Sequence, residues 1–202
     1  MKYEWRKQKK TEYGAKTSPS LVNILPTNYI LIDGKGNPNE ADFSNRVSVL
    51  YAWAYAIKKA YKEAPLSDAF DDFTVFPLEG VWSNGMEDGK LVKDHLAYTI
   101  MIAQPDFVDE KLAQAALARV KEKKPDPLWE NVQFGTMADG PCVQVLHVGS
   151  YDDEPASFAK MDAFTRENHL ERTQAAHREI YLSNANRVEP AKRKTILRYA
   201  VK

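Results

Sequence analysis

The chain of 202 residues has a single cysteine, Cys142. One thiol excludes an internal disulfide framework and fits a reducing, cytoplasmic setting. Net charge is also missing: 28 basic residues balance 28 acidic ones. There is therefore no global electrostatic pull toward nucleic acid or an anionic membrane. No run is long and apolar enough to span a bilayer. The basic residues at the start lead into no apolar stretch, so no secretory signal is expected. No G-x-S-x-G surrounds Ser150, and Gly34-Lys35-Gly36 is too short for a phosphate loop. His169 and His177 flank a loop without making a metal-ligand set, so neither a metal nor another cofactor is expected.

What is present is ordinary apolar periodicity with many aromatic rings. Residues 1–27 are polar and include the run Arg6-Lys7-Gln8-Lys9-Lys10, and they read as an extended or poorly ordered lead-in. Residues 28–202 read as a single domain. Tyr29 to Asp33 forms a strand closed by a Gly-rich turn. Phe43, Val47, Leu50, Tyr51, Ala54, Ile57 and Tyr61 then recur at helical spacing up to Pro65. Phe73 to Trp82 is strand-like, with Pro77 and Gly80 pointing to an edge or a bulge. A polar turn follows over Asn84 to Gly89, then a strand over Leu96 to Ile102. A helix opens at Asp106 and closes in a basic last turn that complements its dipole.

The second half repeats this order. Cys142 to Gly149 is a strand, Asp152 to Pro155 an acidic helix start, His177 to Ser183 a strand, and Thr195 to Val201 the last strand. Gly34 and Phe43 match Gly149 and Phe158 at equal spacing. The predicted fold is α+β, a tandem βαββ repeat with a pseudo-two-fold axis. Repeat one spans about 28–104, a connecting helix about 106–124, and repeat two about 140–202.

On the strand His177-Arg178-Glu179-Ile180-Tyr181, alternation puts His177, Glu179 and Tyr181 on one face. Glu179 thus stands between two ring-bearing side chains. Held there, it serves as a general base or acid, or as the counter-charge for a cationic ligand. Glu79 falls in the matching strand of repeat one, which predicts two carboxylates in related positions near the seam between halves. The aromatic wall is drawn from Tyr51, Tyr55, Phe76, Trp82 and Tyr98, with His147 and His177 as polar neighbours. Each has a plainer reading: Tyr51 as core, Tyr55 or Trp53 as an exposed residue, Glu79 as a solvated one, His147 as a hydrogen-bonded structural residue.

Several segments together carry a resemblance to a known family. They are Phe76-Pro77-Leu78-Glu79-Gly80-Val81-Trp82, Gln104 to Val108, Gln144 to Tyr151, His177 to Ser183 and Lys194 to Arg198. From about Asn28 onward the chain resembles stand-alone GyrI-like small-molecule-binding proteins, related to the ligand domains of multidrug-sensing transcription activators. The resemblance implies the tandem βαββ fold and an aromatic pocket with a central Glu, matched here by Glu179. It is also similar to cyclopropanoid cyclopropyl hydrolases, which detoxify DNA-alkylating natural products by adding water to a strained ring. That similarity implies a hydrolase; on the reading of the residues Glu179 activates the water, with Glu79 beside Trp82 as second candidate, and Tyr181, Tyr55 or His147 stabilises the charge that develops on the substrate. The alternative is a protein that binds or sequesters flat apolar or cationic molecules without turnover. A departure is Asn184-Ala185-Asn186, where Asp-Pro-Arg is more usual. The lead-in shows no DNA-binding helix-turn-helix. The implied partner is therefore a small molecule and not nucleic acid or membrane, and the oligomeric state is left open.

Overall fold

A computed structural model describes residues 1–83, 85–87 and 90–202, excluding the side chains of 86, 87, 90 and 91. The turn expected over Asn84 to Gly89 lies in part outside the described residues, since Asn84, Asp88 and Gly89 are not among them. In chain order the elements begin with β1 (Lys2–Tyr3), α1 (Trp5–Gln8), α2 (Lys10–Tyr13), β2 (Ser20–Ile24), β3 (Thr27–Lys35) and α3 (Ala41–Glu63). β4 (Asp72–Phe73), β5 (Leu78–Trp82), β6 (Met86–Glu87), β7 (Lys90–Leu91), β8 (Ala97–Ala103) and α4 (Glu110–Lys123) follow. The chain closes with β9 (Val132–Met137), β10 (Gly140–Val148), α5 (Glu154–Glu167), β11 (His177–Tyr181) and β12 (Lys194–Ala200). Among the described residues, no helix is long and apolar enough to cross a membrane.

The architecture is the tandem βαββ repeat. One repeat is β3-α3-β5-β8 and the other β10-α5-β11-β12. All their pairings are antiparallel, and the halves meet where β5 pairs with β11. β5 is thus a central strand and not the edge that Pro77 and Gly80 implied. Pro77 sits just before the strand, where its missing N–H costs no ladder bond.

Two strands of the large sheet escape the sequence reading, β2 and β9. Each continues into the next strand through a two-residue corner, 25–26 and 138–139. β2 pairs with β10 while β9 pairs with β3, and the register is the same on both sides of the corners. Ile24 faces Gly140, and Thr27 faces Met137. The two long bent strands therefore run side by side and close the sheet on itself, giving it an inner face and a helix-covered outer face.

α5 seats Met161 against Val143, Val145 and Leu197. Leu197 is the cross-strand partner of Glu179, so α5 covers the face that carries Glu179. α3 covers the same face of the first half, and its buried surface is wider than a single stripe because it has two neighbours. Trp53, off the expected stripe, is fully buried and donates its indole N–H to the Ala113 carbonyl of α4 at 2.9 Å. α4 starts at Glu110, later than the expected Asp106, because Asp109 caps it by accepting from the Leu112 amide at 2.8 Å.

The lead-in is docked and does not trail. β1 pairs in parallel with β4. Tyr3 packs edge-on to Phe70 and Phe107, and Trp5 donates to the Val75 carbonyl. Aromatic anchors among lysines, together with strand pairing, hold the segment down, and polar composition alone does not show them.

Candidate active site at the seam of the two repeats

Across the seam Glu179 lies opposite Gly80, and His177 opposite Trp82. Gly80 is there for space. A Cβ at this position would stand 2.6 Å from the Trp82 indole nitrogen, so only glycine lets the indole lie over the strand. From that position Trp82 Nε1–H donates to the Tyr181 hydroxyl at 2.9 Å, and Tyr181 donates to Glu179 Oε2 at 2.7 Å. His177 Nε2 meets Glu179 Oε1 at 2.9 Å. Each oxygen of Glu179 thus has a hydrogen-bond partner. Burial, and next the charge of Glu179, push the Tyr181 phenol well up, so it keeps its proton and acts as a donor.

Rings enclose this carboxylate. Phe158 of α5 packs edge-on to His177 at 4.8 Å, and Tyr151 edge-on to Tyr181 at 6.1 Å. On the first-half side Trp82, Tyr98 and Phe43 contact one another at 5.0–5.7 Å. Tyr98 itself lies across Gly34, where a Cβ would stand 2.3 Å from its ring. Tyr51 of α3 is half-buried, with its hydroxyl near the Leu78 backbone at the start of β5.

A second carboxyl belongs to this cluster and was not singled out from the sequence. Glu154, the first residue of α5, is only 7% exposed, and its Oε1 has no hydrogen-bond partner among the described residues. Burial first, then the charges of Glu179 and Asp152, raise its carboxyl to about 9. It therefore carries a proton at neutral pH. The acidic helix start reads naturally as dipole compensation. The available signal was that Glu154 begins the row Glu154, Ser157, Met161 and Thr165, the buried stripe of α5.

The other expected residues lie apart from Glu179. Glu79 is on the inner face, fully buried, accepting from Tyr13 at 2.7 Å and Arg178 at 2.8 Å. Arg178 reaches on to Asp139 at 2.9 Å. The two glutamates thus lie near the same seam on opposite faces, not in equivalent positions. Phe76 packs with Trp5 and Tyr13 under the lead-in. Tyr55 is 58% exposed, beside a shallow depression of about 400 Å³ lined with Lys58, Lys59 and Lys62. His147 has both ring nitrogens engaged: Nε2–H donates to the Ser150 carbonyl at 2.8 Å, and Nδ1 accepts from Ser157 at 2.9 Å. It braces the turn into α5 and so helps place Glu154.

This arrangement, a carboxylate among aromatic rings where two βαββ repeats meet, accompanies a sequence match. Residues 17–200 match the GyrI-like small molecule binding domain. The chain belongs to the GyrI-like family. Three crystal structures from Listeria innocua share the whole architecture. A hydrolase is 35% identical over 100% of both chains with a TM-score of 0.89. A second structure of a hydrolase is 33% identical over 99% of this chain and 100% of the other, at 0.87. An uncharacterised conserved protein is also 33% identical, with the same coverage, at 0.90. Comparison with functionally curated proteins gave no match. Membership makes this GyrI-like chain a small-molecule-binding protein.

Proposed function

We propose that this GyrI-like protein is a cytoplasmic hydrolase. It takes flat, apolar, strained electrophiles between its rings and opens them with water, detoxifying cyclopropanoid DNA-alkylating compounds. The observation that carries this reading is Glu179, a carboxylate held by Tyr181 and His177 among aromatic rings. The hydrolases from Listeria innocua, matched along their full length, support the reaction class. Glu179 takes a proton from water as its oxygen bonds to the strained carbon. Such a base contributes ~10²–10⁴-fold. The rings stack on the flat body of the substrate.

The test is a product assay with a cyclopropane-bearing alkylating compound, followed by mass. Wild type adds one water, and Glu179→Gln, which keeps the shape, loses about 10²–10⁴-fold in rate. A variant as fast as wild type removes Glu179 from the mechanism.

A second reading, capture without turnover, draws on the same bonds. Both oxygens of Glu179 are already engaged, and a fixed carboxylate among ring faces suits a flat aromatic cation. In that case the compound is recovered unchanged, and N-methylquinolinium protects wild type against heating more than it protects Glu179→Gln.

A further inference from the structure

Opening a cyclopropane conjugated to a carbonyl needs two proton movements. Water loses a proton as its oxygen bonds to the ring carbon. The breaking carbon–carbon bond sends its electron pair through the conjugated system to the carbonyl oxygen, which must then be protonated. Glu179 serves the first movement. The donors beside it are committed: His177 N–H and Tyr181 O–H point to Glu179, and Trp82 N–H points to Tyr181. The uncommitted group is Glu154, buried, with Oε1 unpartnered.

We propose that Glu154 is the proton donor of this site, an un-ionised carboxyl that hydrogen-bonds the ligand's carbonyl oxygen and protonates it as the ring opens. The inference rests on the hydrolytic reading above. A helix N-terminus by itself favours an ionised carboxylate. Here burial and the charge of Glu179 outweigh it, and Asp152 adds in the same direction. Tyr181 of β11 and Tyr151 of the turn before α5 also interact with Glu154, Arg193 is stacked on Tyr151, and Asp153 and His147 flank the start of the helix. A buried carboxyl with an unpartnered oxygen, beside a second carboxyl with a hydrogen-bond partner on each oxygen, supplies an acid and a base for one reaction. After a turnover Glu179 holds the proton from water and Glu154 is ionised. Exchange with solvent restores both, and one water has been consumed.

Two measurements test this. The infrared carbonyl stretch of an un-ionised carboxylic acid is recorded at neutral pH in wild type and Glu154→Gln, without ligand. Initial rates of ring opening of a cyclopropane-fused dienone are then followed across pH. The expected result is a band present in wild type, absent in the variant and bleached as pH passes about 9. With it, the wild-type rate falls over the same range, and Glu154→Gln is slower by ~10²-fold or more without that alkaline limb. A missing band, or a variant with wild-type rate and the wild-type alkaline limb, overturns the assignment. If wild type shows the band yet leaves the compound intact, the hydrolytic reading has failed, and the protonation step with it. The hydrogen-bond role is then decided by affinity for the intact dienone, which must weaken in wild type above the bleaching pH or that role is overturned too.

Discussion

Glu79 and Glu179 stand on neighbouring strands, and the sheet between them separates two kinds of buried charge. On the inner face Glu79 and Asp139 are matched by Arg178, and Arg198 is held by Gln144 and the Glu12 carbonyl. Acids and bases there are paired, and Tyr13 fastens the lead-in over them. On the outer face Glu179 has a phenol and an imidazole for partners, and Glu154 has a free oxygen. The inner face matches its charges to one another, although Arg178 Nε has no hydrogen-bond partner among the described residues. The outer face leaves polar groups for something else to use. A buried carboxyl is therefore informative through what surrounds it: Glu79 is held by Tyr13 and Arg178, whereas Glu154 keeps an unpartnered oxygen.

The largest way to break this contrast is to unbalance the inner face. Arg178→Met leaves Glu79 and Asp139 without their shared cation. Removing one partner of a buried pair costs about 3–5 kcal/mol, which lowers Tm by on the order of 10 °C in a chain of this size. Thermal melting reads the loss, and binding of N-methylquinolinium at low temperature should survive it, because Glu179 is on the other face. Loss of binding in a variant that is still folded at that temperature shows that the two faces are coupled.

A smaller change attacks the outer face alone. Gly80→Ala puts a methyl where the Trp82 indole nitrogen lies at 2.6 Å. The indole must move, and its bond to Tyr181 breaks. Overpacking of this kind costs about 1–3 kcal/mol, and activity should fall more than stability does, since Tyr181 is then held only through Glu179. Equal stability and unchanged turnover would mean that the indole is free to lie elsewhere.

Much of this organisation is legible in the sequence where the pattern is local. The strand carrying His177, Glu179 and Tyr181 alternates without interruption, so its face could be counted. The face of Glu79 could not. Pro77 interrupts the run before it, and its parity relative to Glu179 is set by the β5–β11 register, a long-range fact. β2 and β9 are hidden for a related reason. Val22 and Ile24 are buried while Leu21 is exposed, within a polar stretch, and the pairing is with strands more than a hundred residues away. Glu154 was legible as a helix start but not as a buried group, because its burial comes from docking α5 on the sheet. Trp53 is covered by α4, which the spacing within α3 does not reveal.

A pH dependence tests the outer face through Glu154. A carboxylate stabilised by a cation normally has a lowered pKa, and its contribution is lost as pH falls. Glu154 behaves oppositely. Its carboxyl is raised from 4.5 to about 9 in the folded protein. The folded state therefore holds a proton that the unfolded chain has released, and its stability is greatest below the unfolded value and is lost as pH climbs toward about 9. Between pH 5 and 8 this amounts to at most about 4 kcal/mol. Glu154→Gln cannot ionise. It should melt with wild type near pH 5 and above it by several degrees at pH 8, at about 2–4 °C per kcal/mol. Two melting curves that stay parallel across that range would place Glu154 in a solvated setting and take away the distinction between the paired inner face and the unpaired outer one. A gain in stability that coincides with lost turnover is what a group kept for chemistry, at some cost to folding, should show.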